Sequence, residues 1–449
     1  MKRKAALHNL GCKVNSYELE SMQQMLEKAG YEIVPFEPGA DLYLINTCTV
    51  TNIADRKSRQ MLHKAKKMNP DALVVATGCY AQAKGKELEK DEAIDLVIGN
   101  NKKLELIELL ESEWASRGAG LPEEMQEADA LRQSVIDISK TNEYEELNID
   151  RTEEHTRAFI KVQDGCNQFC TYCIIPFARG RVRSRRKEDV IREVERLAAS
   201  GCKEVVLTGI HLSSYGVDFD TEENLLSLIR AVHEVEGIRR IRLGSLEPGI
   251  VTEEFAMALA SLPKVCPHFH LSLQSGCDRT LKAMNRRYTS AEYRDRCAIL
   301  RKYLKDPALT TDVITGFPGE TEEDFAASAA FVDEIDFFET HIFPYSRREG
   351  TRAATYPNQL PESVKKDRLH VLEEIDQKKR VQYLERAIGT VQEVLFEEQV
   401  NRDGKLYWTG HTMEYRRVFA VAEGDLENEI RRVQLNGLMG AEGLVGEIR

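Results

Sequence analysis

No stretch of this chain approaches the roughly 20 consecutive apolar residues that a membrane-crossing helix requires, so a membrane partner is excluded at the outset. An export signal is also missing. The opening MKRKAALHNLGCKVN has a basic start, but its apolar stretch is short and broken by His8 and Asn9, so neither a signal peptide nor lipid attachment at Cys12 is expected. Positive charge is scarce: 62 Lys and Arg against 74 Asp and Glu leave a net −12, which excludes a protein that coats nucleic acid through accumulated basic residues. One further absence concerns cysteine. Cys166, Cys170 and Cys173 form a CxxxCxxC run with no second pair after it, whereas a closed structural zinc site takes four protein ligands. Three thiolates instead suit a [4Fe-4S] cluster whose fourth iron stays open to a small molecule.

What is present describes a multi-domain globular protein. At 449 residues, 30% charged and 42% hydrophobic, the chain is long enough for two or three cores that need no disulfides. Ten cysteines without an export signal point to a reducing, cytoplasmic setting in which thiols stay free for metal. A local basic patch, Arg179, Arg181, Arg183, Arg185, Arg186 and Lys187, follows the cysteine run directly. It reads either as a solvated helix start or, given its neighbour, as a site for a phosphate-bearing or RNA substrate.

The first 112 residues alternate short β-rich runs (Lys4 to Leu10, Leu42 to Asn46, Leu73 to Thr77, Leu96 to Ile98) with helical stretches (Tyr17 to Ala29, Asp55 to Met68, Ala83 to Lys90). That is the pattern of a small parallel α/β domain. Its first three strands end at Gly11-Cys12, Thr47-Cys48 and Gly78-Cys79, and in a parallel sheet such ends share one edge, where ligands bind. Cys12, Cys48 and Cys79 are therefore expected to converge on a second three-thiolate cluster. Residues 113 to 150, acidic and irregular, read as a linker.

From Ala158 onward six strand-helix units follow, with strands at Phe159 to Val162, Glu204 to Leu207, Arg240 to Leu243, His268 to Leu273, Leu309 to Ile314 and Phe337 to Phe343. They suggest a parallel barrel, whole or partial, with its site at the carboxyl ends of the strands. Those ends are polar and glycine-rich: Thr208-Gly209, Ser245-Leu246-Glu247-Pro248, Gln274-Ser275-Gly276 and Thr315-Gly316-Phe317-Pro318-Gly319-Glu320. After a long helical stretch, Glu362 to Ala387, short alternating runs (Thr390 to Phe396, Lys405 to Gly410, Arg417 to Val421, Ile430 to Leu435) imply a small antiparallel β-barrel.

The motifs GCKVNSYELE, NTCTVTNIADRKSRQ, ATGCYAQ, GCNQFCTYCIIPFARGRVRSR, SLEP, LSLQSG and TGFPGET together resemble the methylthiotransferase family of radical S-adenosylmethionine (SAM) enzymes along nearly the whole chain. The resemblance implies an α/β chain of three parts: a cluster domain (1–112) and, beyond a linker (113–150), a radical SAM partial (β/α) barrel (151–386) and a TRAM-like β-barrel (387–449). It implies two [4Fe-4S] clusters, one on Cys12, Cys48 and Cys79 that carries sulfur and one on Cys166, Cys170 and Cys173 that cleaves SAM. The substrate it implies is a tRNA anticodon loop, and the electron donor a flavodoxin or ferredoxin. Val182 in RGRVRSR resembles the branch acting on N6-threonylcarbamoyladenosine; the isopentenyladenosine and ribosomal-protein branches are the alternatives. An iron-sulfur electron carrier and a zinc-holding RNA-binding module are readings of other classes. Tyr172 and the rim residues Thr208, Gly209, Glu247, Ser272, Gln274, Asp312 and Gly316 are the expected SAM contacts. The segment Thr390 to Arg449 departs from an RNA-gripping composition, with 11 acidic and 7 basic residues, a net −4. Cys202, Cys266, Cys277 and Cys297 are assigned to packing. Asn15 and Glu18 either shape the Cys12 loop or open its helix, and His8, His211, His268 and His270 read either as proton donors or as core histidines.

Overall fold

The computed structural model describes residues 2–119, 134–152 and 156–449. Five parallel strands form the first sheet in the order β2-β1-β3-β4-β5: β1 (Lys4–Asn9), β2 (Glu32–Ile33), β3 (Leu42–Thr47), β4 (Leu73–Gly78) and β5 (Leu96–Ile98). The runs LYLINT and LVVATG are buried at every position, as central strands covered on both faces must be. Alternate residues serve opposite layers. Tyr43, Ile45, Val74 and Ala76 pack with Leu62 and Ala65 of α2 (Asn52–Met68) and with Tyr80 of α3 (Cys79–Leu88). Leu42, Leu44, Leu73 and Val75 pack with Met22 and Leu26 of α1 (Lys13–Lys28) and with Leu106 and Leu110 of α4 (Leu106–Ala119). Since α1 and α2 cover opposite faces, the order reverses between β1 and β3, and a crevice opens at their carboxyl ends.

The central unit is a curved parallel sheet: β6 (Arg157–Asp164), β8 (Glu204–Gly209) and β9 (Arg240–Leu243) on one side, β10 (His268–His270), β11 (Ala308–Thr315) and β12 (Glu339–Pro344) on the other. Single bridges, Ile241 to Val265 and Leu246 to Leu271, join the halves into an open six-stranded partial barrel. A short β7 (Arg183–Ser184) runs antiparallel beside the end of β6.

The last unit closes on itself as β13-β14-β15-β17-β16, from β13 (Val391–Arg402), β14 (Lys405–His411), β15 (Arg417–Ala420), β16 (Ile430–Met439) and β17 (Gly443–Ile448). Closure is not antiparallel throughout, because β15 and β17 pair in parallel. Glycine makes that closure possible: a Cβ at Gly443 would lie 2.4 Å from Arg417 O, and one at Gly446 2.3 Å from Val433 Cγ1.

The segment expected to be a linker is for the most part built into the fold where it is described. α4 runs on to Ala119, and Trp114 Nε1 donates to Tyr31 Oη at 3.1 Å. Leu147 and Ile149 are fully buried in the core of the central unit, together with Tyr17 from α1. Charge density concealed this, since the described acidic side chains of the segment face outward or pair while Ile138, Leu147 and Ile149 turn inward. Among the described residues no helix is long and apolar enough to cross a membrane.

Candidate functional site

Cys12 caps the N-terminus of α1, Cys48 follows β3, and Cys79 is the first residue of α3. Asn15 ties two of these loops together, its Nδ2 donating to Leu10 O at 3.2 Å and to Thr47 O at 3.0 Å. Thr47 Oγ1 accepts from Ala81 N at 3.1 Å and so ties in the third. Gly78, at φ 92°, leaves no room for a side chain: a Cβ there would lie 2.3 Å from Asn46 Oδ1 and 2.6 Å from Thr47 O. Burial pushes the Cys48 thiol up to about 12, with Cys79 and Cys12 adding to the rise. Burial raises Cys12 as well, with Arg179 opposing and Cys79 adding. The thiols thus lie within one another's field, and no disulfide joins any of them.

Cys166, Cys170 and Cys173 occupy the loop after β6. Burial foremost, with Cys170 adding, pushes Cys166 to about 11 and Cys173 to about 12. The loop is fixed from several sides. Thr171 N donates to Met284 O at 3.0 Å, Ala353 N to Thr171 O at 2.8 Å, and Asn285 Nδ2 to Phe169 O at 3.2 Å. Gly165, at φ 71°, lets Arg181 O pass 1.8 Å from where a Cβ would stand. Each trio also has one guanidinium donor: Arg179 Nε to Cys79 Sγ at 3.1 Å, and Arg286 Nη1 to Cys170 Sγ at 3.4 Å. Unpaired, neighbouring thiols with cationic donors, Cys12 exposed and the other five half-buried or buried, are the donor set that an iron-sulfur cluster takes.

Half of the expected basic patch lies inside the protein, which corrects the surface reading. Arg179 is fully buried, donating to Glu18 Oε1 at 2.5 Å and Asn15 Oδ1 at 2.7 Å. Arg183 lies beside Asp164 at 3.7 Å, and Arg185 is buried against Glu193 and donates to Glu146 Oε1 at 2.7 Å. The physical reason is local. Glu18, Asp164 and Glu193 are buried where the first unit meets the barrel, and buried carboxylates need counterions. Burial alone would raise Glu18, but Arg179, Lys103 and Lys161 hold it well below the usual carboxylate range. Glu18 and Asn15 therefore do shape the Cys12 loop. Lys187 is paired with Glu223, while Arg181 and Arg186 are exposed, lying over the Phe169 and Phe219 rings at 4.7 and 4.8 Å.

The rim residues divide into groups. Thr208, Gly209 and Asp312 line one cavity of about 640 Å³ within the barrel, with Cys12 and Lys13 reaching in from the first unit and Tyr415 from the last. Glu247 stands beside the second trio, accepting from Arg286 Nη2 at 2.9 Å and lying 3.4 Å from His211 Nε2. Tyr172 packs against Met284, Phe317 and Tyr345. Ser272 O accepts from Tyr288 Oη at 2.6 Å, Gln274 takes φ 70° with its N–H on Asp312 O, and Gly316, at φ 70°, donates its N–H to Glu320.

Sequence reading missed Arg286, Lys13, Lys161 and Tyr415. Lys161 alone carried a signal, a lysine inside the apolar run AFIKV, which implies a buried partner; it pairs with Glu18 at 2.9 Å and Asp164 at 2.8 Å. Burial first, then Arg157 and Arg242, lowers the Lys13 ammonium to about 8. The Tyr415 ring stacks on His268 and His411 with centroids 4.6 and 4.5 Å apart, under the guanidiniums of Arg242 and Arg157. His270, Asp312 and His341 bring one ligand atom each within 4.8 Å of one another, a grouping sized for a single ion rather than a cluster. Cys202, Cys266 and Cys297 are buried, and Cys277 Sγ lies 3.2 Å from Asp324 Oδ1.

The signature of the Radical SAM superfamily covers residues 160–332, and that of the uncharacterized protein family UPF0004 covers residues 4–99. The chain is 40% identical over 432 residues to the threonylcarbamoyladenosine tRNA methylthiotransferase MtaB of Bacillus subtilis (strain 168), covering 96% of this chain and 93% of that relative. It is 35% identical over 437 residues to the tRNA-2-methylthio-N(6)-dimethylallyladenosine synthase of Thermoanaerobacter sp. (strain X514), covering 96% and 89%. In fold it is similar to the radical S-adenosylmethionine methyltransferase TsrM from Kitasatospora setae, with a TM-score of 0.58 at 18% identity over 90% of this chain and 82% of that one. With those two signatures in sequence and relatives this similar along nearly its full length, the chain belongs to the methylthiotransferase family of radical SAM enzymes, which use SAM and a [4Fe-4S] cluster.

Proposed function

We propose that this enzyme adds a methylthio group to C2 of N6-threonylcarbamoyladenosine at position 37 of tRNA, 3′ of the anticodon. The likeness to the Bacillus relative supports that substrate. One observation carries the reading: Cys12, from the first trio, lines the same cavity as the strand ends of the barrel that bears the second trio. When bound, a [4Fe-4S] cluster on Cys166, Cys170 and Cys173 together with SAM supplies radical chemistry at an unactivated C–H, and a second cluster on Cys12, Cys48 and Cys79 supplies the sulfur that SAM methylates.

The chain's own residues bind, orient and exclude water. Arg179 and Arg286 direct N–H groups at one sulfur of each trio and so orient it. Glu247, held by Arg286, is placed to meet a cationic group of SAM, and the Tyr172 backbone its adenine, with Thr208, Gly209, Ser272, Gln274, Asp312 and Gly316 completing the rim. Tyr415 closes the cavity from the side of the last unit. The exposed Arg181 and Arg186 are left to grip phosphates of the anticodon loop, and a flavodoxin or ferredoxin supplies the electrons.

Two measurements test this. Anaerobically reconstituted protein is expected to hold about eight irons per chain, falling to about four in Cys79→Ala and in Cys170→Ala alike. Nucleoside mass spectrometry of tRNA from cells lacking the gene is expected to show loss of the 2-methylthio form of threonylcarbamoyladenosine; loss of the isopentenyl counterpart instead would overturn the substrate.

A further inference from the structure

The charges in and around the barrel cavity are nearly all matched. Arg242 meets Glu204 at 2.8 Å, Arg157 meets Glu397 at 3.5 Å, Glu339 meets Arg380 at 2.7 Å, and Asp312 lies 3.2 Å from His270. Lys13 is the exception. It lines the cavity from an exposed position at the start of α1, and among the described residues its ammonium has no ion pair or hydrogen bond. One further polar atom of the same lining lacks a partner: His268 Nδ1 is buried without a hydrogen bond, whereas His270 Nε2 already faces the Asp312 carboxylate at 3.2 Å. A cavity with one unmatched cation and an unsatisfied ring nitrogen is built to take an anion that also accepts hydrogen bonds.

We propose that Lys13, with His268 beside it, takes the carboxylate on the N6 arm of the substrate base, and so selects a threonylcarbamoyl arm over an apolar isopentenyl one. The assignment rests on the threonylcarbamoyl reading above and deepens it. Position agrees with chemistry: Lys13 directly follows Cys12, so a base whose C2 approaches the first trio brings its N6 arm within reach of this side chain. An apolar arm laid over the lysine would leave its ammonium without a counterion and the buried His268 nitrogen without a partner, and a site built to hydrogen-bond a polar group rejects an analogue that lacks it far more strongly than a hydrophobic slot rejects an extra one.

The test uses the reconstituted full-length protein and two anticodon hairpins, one carrying threonylcarbamoyladenosine and one with its carboxylate converted to a carboxamide. The wild type is expected to bind the carboxylate hairpin about 10- to 100-fold more tightly, and Lys13→Gln to lose that preference while keeping wild-type affinity for the carboxamide. The preference is a ratio within one preparation, so any loss of cluster or of folded protein acts on both hairpins alike and cancels. Equal binding of the two hairpins by the wild type overturns the proposal. So does a K13Q protein that keeps the preference, or one that loses SAM affinity instead. Methylthio formation on an isopentenyl hairpin but not on the threonylcarbamoyl one would bring down the functional reading itself; formation on the latter with an unchanged K13Q preference would remove only the role of Lys13.

Discussion

Lys103, Lys161, Arg179 and Arg183 converge on two carboxylates, Glu18 and Asp164, and all six are buried. Such a group stabilises only while it is complete. Removing one anion leaves several cations to share the other at the full desolvation cost of buried charge. Glu18→Ala is therefore expected to lower stability by about 3–5 kcal/mol, read as a fall in the guanidinium midpoint of the iron-free protein. Iron content on reconstitution should fall as well, because Arg179 is held by Glu18 and donates to Cys79. Wild-type stability in this variant would mean that Asp164 and water already satisfy the cations. The same group shows the limit of reading charge from sequence. The places of the cysteines after β1, β3, β4 and β6 were legible because each follows an apolar run of strand length. Arg179, Arg183 and Arg185 were misplaced because an arginine run looks alike whether its counterions are phosphates outside or glutamates inside.

At the scale of elements, β8 and β9 hold the last barrel through a relay. Glu204 at the start of β8 pairs with Arg242 at 2.8 Å and lies 3.7 Å from Arg240. Those guanidiniums donate to carbonyls of the last unit: Arg240 to His411 O and Glu393 O at 2.8 and 2.9 Å, Arg242 to Met413 O at 2.9 Å. Burial works to raise Glu204, but Arg242 foremost, with Arg157 and Arg240, overcomes it and brings the carboxyl from 4.5 to about 2. Folding therefore favours the ionised form. Its contribution is complete above the unfolded value of 4.5 and disappears as pH falls through about 2. Glu204→Gln is expected to cost on the order of 3 kcal/mol near neutrality, with the gap to wild type closing over that acid window in denaturant titrations; a gap independent of pH would refute the relay. The strands themselves were largely readable, since β1, β3, β4 and most barrel strands are apolar runs of the right length. β17 was not, because GLVGEI owes its place to the fit of two glycines against β15 and β16 rather than to propensity. Nor were Leu147 and Ile149, whose burial depends on a tertiary surface that no local pattern announces.

On the scale of the molecule, one cavity is walled by all three units, so its shape depends on their docking. The core of the last barrel is continuous with Ala308, Phe338 and Tyr383 of the central unit, while Tyr415 reaches inward to stack on His268. The chain has two tryptophans, Trp114 in α4 of the first unit and Trp408 in β14 of the last, the latter buried with its Nε1 on Gly424 O at 3.1 Å. Single-tryptophan versions made with Trp114→Phe or Trp408→Phe thus report the two ends separately. If docking makes the units unfold together, both signals should share one denaturant midpoint, the usual sign of a single cooperative transition. Tyr415→Ala removes two ring stacks and two cation-π contacts, each contact of the latter kind worth about 0.5–2 kcal/mol. The Trp408 transition should then move to lower denaturant while that of Trp114 stays in place, and Tyr415→Phe, which keeps the ring, should restore coincidence. Coincident transitions in Tyr415→Ala would mean that the apolar seam around Phe338 and Tyr383 holds the last barrel unaided. The cavity would then owe its closure to that seam, and the ring of Tyr415 would only fill it.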